Sequence, residues 1–246
     1  MTNMFSTTYE TSRRNIDSGL RNYMLKIYNL MCLGLAMTAV ASYACLAVPF
    51  LKSIFFEVAP NGMTMGLSGM GTLASFAPIL FVLYLSMGIN RMSTESAQFT
   101  FFLYAVINGI GLAPIGLMYT GASIAKAFFI TASVFGAMSI YGHTTKKDLT
   151  SMGSFLMIGL IGCLIASIVN IFTQSSAADF AISYLLVAIF TGLIAYDTQK
   201  LKEIYYQAGG GEYGQKMAVL GALTLYLDFI NLFLNILRIL SSRRDN

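Results

Sequence analysis

The chain has 246 residues, of which 56% are hydrophobic and only 11% are charged, and its formal net charge is +4. Its mean hydropathy is +0.68. Soluble domains carry about 25% charged residues, so this chain has too few charges to cover a surface that faces water on all sides. The composition therefore excludes an ordinary soluble enzyme, and the small positive charge gives no reason to expect a nucleic-acid partner.

Long uncharged runs predict membrane-spanning helices. Residues 27–51 form a run of 25 without a charge, residues 58–90 a run of 33, and residues 96–125 and 149–178 runs of 30 each. About 20 mainly apolar residues suffice for a helix to cross a bilayer, whereas barrel strands alternate over about ten residues. The predicted fold class is an all-α polytopic membrane protein. Seven transmembrane helices are predicted, over residues 25–48, 70–90, 97–118, 122–141, 151–173, 179–206 and 215–240.

Two features interrupt the predicted helices. Residues 61–71, NGMTMGLSGMG, are rich in glycine and methionine and are expected to form an interfacial or re-entrant segment before the second helix. Pro78 and Pro114 lie within the second and third helices, where each removes a backbone hydrogen bond and favours a kink. These kinks are either ordinary features of membrane helices or hinges for opening.

The predicted domain organisation is a cytoplasmic N-terminal segment (1–24), a single transmembrane domain (25–240) and a short polar tail (241–246). The first apolar run is too long for the core of a secretory signal peptide. With the N-terminus inside, ten of the fifteen basic residues fall in inner segments, as the positive-inside rule requires. Seven spans place Arg243 and Arg244 outside, which the rule disfavours. A bacterial plasma (inner) membrane is the expected location, because no organelle-targeting signal is found.

The last predicted helix carries a narrow polar seam. Its polar and small residues are spaced by 3, 4, 3, 4 and 3 positions, so they share one face of a helix. They are Gly221, Thr224, Asp228, Asn231, Asn235 and Arg238. The other faces are apolar, and the seam is therefore expected to face the bundle interior or water. A carboxylate at the centre of a bilayer costs about 2.5–3.5 kcal/mol, which makes Asp228 a candidate functional residue.

A second carboxylate, Asp197, ends the apolar run 180–196 in the sixth helix. Counted along the two helices at ~1.5 Å per residue, Asp197 and Asp228 lie about 13 and 20 Å from the same membrane face, so they can share a level. Two facing carboxylates repel when both are ionised and exchange protons as a coupled pair. Such a pair can bind a divalent cation such as calcium, share a proton as a pH switch, or anchor a basic side chain. Arg91, at the inner end of the second helix, is the best basic partner, unless it is simply an anchor at the membrane surface.

Three blocks of the sequence resemble the transmembrane Bax inhibitor motif family, in particular its bacterial calcium-leak members. The first is KKDLTSMGSFLMIGLIG (146–162) with NIF (170–172), the second is the Tyr196–Asp197 pair, and the third and most specific is LYLDFINLFLNILRIL (225–240). With a weaker match in LAPIG (112–116), the resemblance covers most of the chain after residue 70.

The resemblance implies a seven-helix fold with the last helix at the centre of the bundle, and a pH-sensitive passive calcium leak. It implies that Asp197 and Asp228 form the pH sensor and bind calcium transiently, and that Arg91 of helix two closes the pore by pairing with Asp197. Thr224, Asn231, Asn235 and Asn108 are expected to line the ion pathway. No permanently bound cofactor is expected. The expected partners are the lipid bilayer and calcium ions as the transported species, with another membrane protein as a further candidate.

Two rival functions remain open at this stage. An intramembrane aspartyl protease also needs two embedded aspartates, but Asp228 follows Leu225, Tyr226 and Leu227 and lacks the Gly-x-Gly context of such enzymes, so no enzymatic activity is predicted. A membrane regulator that binds a partner in cell death or membrane proteolysis, without transport, is the stronger alternative.

Overall fold

A computed structural model describes residues 2–58, 64–208 and 211–242. Arg243 and Arg244 of the predicted tail, and residues 61–63 of the predicted Gly/Met-rich segment, lie outside these described residues. The helices are α1 (Thr2–Ala47), α2 (Pro49–Phe55), α3 (Gly69–Gly88), α4 (Thr94–Leu112), α5 (Ile115–Met118), α6 (Gly121–Thr144), α7 (Thr150–Thr173), α8 (Ser176–Ala208) and α9 (Glu212–Ser242). A short 3-10 turn, Ile89–Arg91, follows α3.

The described residues contain seven helical segments that are long and apolar enough to cross a membrane. They correspond one to one to the seven predicted helices. One of them extends through α4 and α5, and the other six lie in α1, α3, α6, α7, α8 and α9. The predicted class of an all-α polytopic membrane protein is confirmed. Three of these helices begin at hydroxyl residues, Ser68, Ser93 and Thr120, whose side chains accept a hydrogen bond from the backbone N–H three positions later. Such caps stabilise the start of a helix.

The structure differs most from the predicted helix limits in two places, and the other helix ends agree to within about three residues. Helix α1 begins at Thr2 instead of residue 25, although only Ser18–Ala47 is apolar enough to span a membrane. Hydropathy detects the apolar part of a helix and not its polar extension, which explains the error. The third predicted helix is divided near Pro114, because α4 ends at Leu112 and α5 begins at Ile115. The missing N–H of proline accounts for this break.

A small β-hairpin precedes α3, and the sequence analysis did not predict it. Strand β1 (Phe56–Val58) pairs antiparallel with β2 (Thr64–Leu67). Strand β2 therefore occupies part of the segment expected to be interfacial or re-entrant. The strands of the hairpin have three and four residues. Segments this short show too little alternation of apolar and polar residues for a strand to be predicted from the sequence.

Helix α9 lies at the centre of the bundle, as the family resemblance implied. It packs against α1, α4, α6 and α8. In the most apolar 18-residue segment of α9, 61% of the residues are buried, whereas in the corresponding segment of α7 only 6% are buried. Helix α7 packs chiefly on α8 and presents most of its surface outward. The consequence is that most side chains in the middle of α9 face other helices or an internal cavity, whatever their polarity.

Candidate functional site

A cavity of about 560 Å³ lies between α7, α8 and α9. Its polar lining consists of Asp197 and Lys200 from α8 and Thr224, Asp228 and Asn231 from α9. The remainder of the wall is apolar and includes Met157, Leu160 and Leu164 of α7. The structure thus brings the two candidate carboxylates into one cavity within the membrane-spanning part of the bundle.

The wall contributed by α9 is the first part of the polar seam. Gly221, Thr224, Asp228 and Asn231 all line the cavity. The last two residues of the seam, Asn235 and Arg238, lie outside the cavity. Asn235 is buried away from it and donates from Nδ2 to the backbone oxygen of Asn231 at 2.8 Å. At the far end of the helix, Arg238 forms an ion pair with Asp179 at 3.2 Å.

The neutral polar residues of this wall present acceptor oxygens to the cavity. Thr224 Oγ1 donates to the backbone oxygen of Leu220 at 3.1 Å, and Asn231 Nδ2 donates to that of Leu227 at 2.8 Å. Since the Thr224 hydroxyl proton is used within the helix, that hydroxyl can offer only lone pairs, and the asparagine keeps its amide oxygen for a further partner. A wall of carboxylate, amide and hydroxyl oxygens suits a hard cation.

The two carboxyl groups face each other across the cavity. Asp228 is only 5% exposed, and its Oδ2 has no hydrogen-bond partner among the described residues. Asp197 is half-buried, and its carboxyl group interacts directly with that of Asp228. Ionised carboxylates are acceptors only, so two facing ones cannot bond to each other directly. A shared proton or a bound cation is needed to bridge them.

Glycines on three neighbouring helices hold the segment around Asp197 in place. A Cβ on Gly142 of α6 would overlap the backbone of Ala195, one on Gly153 of α7 would overlap the ring of Tyr196, and one on Gly221 of α9 would overlap Leu201. Small residues allow membrane helices to approach closely. The level of Asp197 relative to Asp228 is therefore constrained by close contacts on three sides of α8, one with its backbone and two with its side chains.

The turn of α8 that follows Asp197 also holds the loop between α6 and α7. Gln199 accepts from the backbone N–H of Leu149 and donates to the backbone oxygen of Lys147, both at 2.8 Å. Lys202 donates to the backbone oxygen of His143 at the end of α6. These contacts connect two of the blocks that carry the family resemblance, since the loop belongs to the KKDLTS block and α8 carries the Tyr196–Asp197 pair.

Besides Asn235, two more of the predicted site residues lie outside the cavity. Arg91 is exposed in the 3-10 turn after α3, and it forms no ion pair with any residue that the structure describes. Asn108 of α4 is buried and donates to the Tyr226 hydroxyl at 2.7 Å, which also lies 2.6 Å from Thr38 Oγ1. Tyr226 and Asp228 are two residues apart and hence about 200° apart around α9. Asn108 therefore belongs to a separate polar cluster on the opposite face of that helix.

Comparison with known proteins decides the family. The family model described as "Inhibitor of apoptosis-promoting Bax1" matches residues 20–245. The chain belongs to this family. An uncharacterized protein of Rickettsia prowazekii (strain Madrid E) is 49% identical over 98% of this chain and 99% of its own length. The inner membrane protein YbhL of Escherichia coli (strain K12) is 42% identical over 92% of this chain and 94% of its own length. An uncharacterized membrane protein of Streptococcus pyogenes serotype M3 is 37% identical over 91% and 93%.

Membership agrees with the seven apolar helices, and the protein is an integral membrane protein of the Bax inhibitor family.

Sequence analysis overlooked one polar residue of the cavity, Lys200. Lys200 lies three positions after Asp197, so helical spacing alone would place both on one side of α8. Its ammonium group lies 5.6 Å from the centroid of the Tyr196 ring and acts electrostatically on Asp197.

Proposed function

We propose that the protein is a pH-sensitive passive calcium leak whose sensor is the pair Asp197–Asp228. The observation that carries the proposal is the buried Asp228 carboxylate, which has an unpartnered Oδ2 and faces a second carboxylate in a cavity inside a membrane-spanning bundle. A charged group at that depth is costly, and such groups are found along ion and proton pathways.

The lining chemistry favours a hard divalent cation as the transported species. Calcium takes six to eight oxygen ligands, and the cavity offers the two carboxylates together with Thr224 and Asn231. No group of three or more His, Cys, Asp or Glu side chains that could hold a metal is found in residues 2–58, 64–208 and 211–242. Two carboxylates with neutral oxygens and water make a weak site, which suits an ion that must both enter and leave.

Protonation supplies the gate in this proposal. At low pH a proton bridges Asp197 and Asp228, removes one negative charge and leaves the cavity poor in ligands for calcium. As the pH rises, the second carboxyl group ionises, the pair becomes a divalent acceptor, and calcium enters down its gradient. The calcium flux is therefore expected to increase with pH over the range in which the second carboxyl group of the pair ionises.

In this proposal a basic side chain competes with calcium for the two carboxylates. Lys200 lines the cavity and interacts with Asp197, so we assign the competing charge to Lys200. The role of Arg91 as the gate residue stays a prediction for a state in which α3 approaches α8. In this proposal the chain is a transporter without catalytic activity, located in a bacterial plasma membrane with its N-terminus in the cytoplasm.

The test is calcium entry into proteoliposomes at pH 6 to 8, with the wild type, Asp197→Asn and Asp228→Asn. Asparagine keeps the shape of aspartate and cannot ionise, so either variant should lose the pH response of the flux. Asp179→Asn is the matched control, because Asp179 lies on α8 outside the cavity and is paired with Arg238. The control should retain the wild-type profile.

Two results would overturn the proposal. One is a pH response that survives in both Asp197→Asn and Asp228→Asn. The other is a flux no higher than that of empty vesicles at every pH, from protein whose helical content and cooperative unfolding show that it is folded. The second result would favour a membrane regulator that acts by binding a partner.

A further inference from the structure

A second, larger cleft lies between α1 and α6. Its volume is about 810 Å³, and none of its lining residues belongs to the cavity of the carboxylate pair. Both helices pack on α9, and Phe229 of α9, only 4% exposed, forms the floor of the cleft. The walls are almost wholly apolar and include Met24 and Met31 from α1 and Phe135 from α6.

The cleft continues along the bundle into a second apolar cavity of about 300 Å³. The two share Leu35, Phe128 and Phe229. The first extends to Arg21 near the start of the spanning part of α1, and the second extends to Leu46 at its end. From Arg21 to Leu46 the helix rises by roughly 37 Å, which exceeds the ~30 Å of a hydrocarbon core. The groove therefore runs along the full depth of a bilayer.

An apolar groove inside a bilayer requires an apolar occupant. A dry void deprives its lining atoms of contacts on one side, and water occupies a cavity only where it finds several polar partners. The rims of this groove carry exposed apolar side chains, such as Leu25, Phe128 and Ile140, which face the surrounding hydrocarbon. The acyl chain of a lipid is the molecule available at this position.

One end of the groove is basic. Its charge comes from Arg21, which lines it beside the His143 ring, and the Lys202 ammonium group donates to the His143 backbone oxygen at the end of α6. This cap offsets the negative end of the helix dipole. Among the residues that the structure describes, no acidic side chain lines the cleft. Basic pockets between membrane helices are suited to the headgroups of anionic lipids.

We propose that this groove is a binding site for an anionic phospholipid from the leaflet at the basic end. The acyl chain lies along the groove against Phe229, and the phosphate group contacts Arg21 and His143. The proposal is independent of the calcium leak, because it concerns a separate cavity, lined on α9 by Phe229 and not by Asp228, and predicts binding and not flux.

Gly136 provides a selective way to fill the groove. It lines the cleft, and a Cβ at this position would meet no atom within 4 Å. Leucine at position 136 should therefore occupy the space of the acyl chain without displacing protein atoms, and it is a better helix former than glycine. Gly162 of α7 is the matched control, since it is exposed, outside the groove and equally free of neighbours.

The experiment is native mass spectrometry of the purified protein from micelles containing equal amounts of phosphatidylglycerol and phosphatidylcholine. The wild type and Gly162→Leu should retain phosphatidylglycerol in preference to phosphatidylcholine. Gly136→Leu should lose the retained lipid. Arg21→Gln should keep a bound lipid but lose about fivefold of the preference for the anionic headgroup.

Circular dichroism and thermal unfolding establish that each variant is folded before its lipids are counted. The proposal is overturned if folded Gly136→Leu retains phosphatidylglycerol as the wild type does. Equal retention of both lipids by the wild type would overturn the assignment of an anionic headgroup. Equal loss of lipid in Gly136→Leu and Gly162→Leu would show that the effect does not arise in the groove.

Discussion

Two buried polar clusters on opposite faces of α9 show what distinguishes a structural residue from a functional one. Around Tyr226, the hydroxyl contacts both Asn108 and Thr38, and the ring packs edge-on against Phe101 and Tyr104. These polar groups have partners, as buried polar groups in proteins almost always do. Asp228 has an oxygen without one. This difference, more than the presence of polar atoms, marks the carboxylate side as the candidate site.

The counter-charge of the carboxylate pair gives a prediction for single residues. Lys200→Gln removes a positive charge that favours the ionised carboxylates, so the pair should hold its proton to a higher pH. The pH at half-maximal calcium flux should move upward by about one unit, measured in the same proteoliposomes. Arg91→Gln serves as the comparison and should leave the midpoint unchanged. A shift in Arg91→Gln with none in Lys200→Gln would instead assign the competing charge to Arg91.

At the scale of the elements, close approaches of helices position the site. Gly142, Gly153 and Gly221 each allow a neighbouring helix to contact α8 in the turns around Asp197. Without a strong hydrophobic force between helices in lipid, such packing is a main source of their association. The separation of the two carboxylates therefore depends on glycines of the helices that surround α8.

The Gly142 contact gives a prediction for stability. Gly142→Ala places a methyl group against the backbone of Ala195, and overpacking of this kind costs about 1–3 kcal/mol. Gly136→Ala, on the same helix, meets no atom within 4 Å and should leave stability unchanged or slightly higher. Thermal unfolding in detergent measures both variants. Equal melting temperatures would contradict the proposed close packing of α6 on α8.

The elements also show how far sequence reasoning reached. The seven spanning helices could be predicted, because each is long and apolar enough to cross a bilayer, and lipid permits such a segment only as a helix or a barrel strand. The polar start of α1 and the β1–β2 hairpin could not, since neither leaves a hydropathy pattern of sufficient length. The break after Leu112 was anticipated as a kink at Pro114, but its form as two separate helices depends on the surrounding packing.

For the molecule as a whole, the number of spans determines where the two termini lie. Seven helices that all cross the membrane place the termini on opposite sides. Ten of the fifteen basic residues fall in segments on the N-terminal side, which predicts a cytoplasmic N-terminus. Arg243 and Arg244 at the other end then lie outside, against the usual distribution of charge.

Reporter fusions test this arrangement. Green fluorescent protein fused at the N-terminus should fluoresce, because it folds in the cytoplasm, and alkaline phosphatase fused after Asn246 should be active, because it folds outside. The exchanged pair of fusions is the control and should be inactive at both ends. Fluorescence from both ends would show that one of the seven helices does not cross the membrane.

The sequence by itself determined the class of the protein, the number of its spanning helices and the two carboxylates of the candidate site. It could do so because a charge deficit, long apolar runs and a helical spacing of polar residues are local properties. Tertiary structure alone decided which polar residues meet. It turned the face of α8 that carries Asp197 and Lys200 towards Asp228, placed Asn108 on the opposite face of α9, left Arg91 at the surface and opened the groove between α1 and α6. Helix rotation and close approach at distant glycines set these contacts, and no local pattern encodes them.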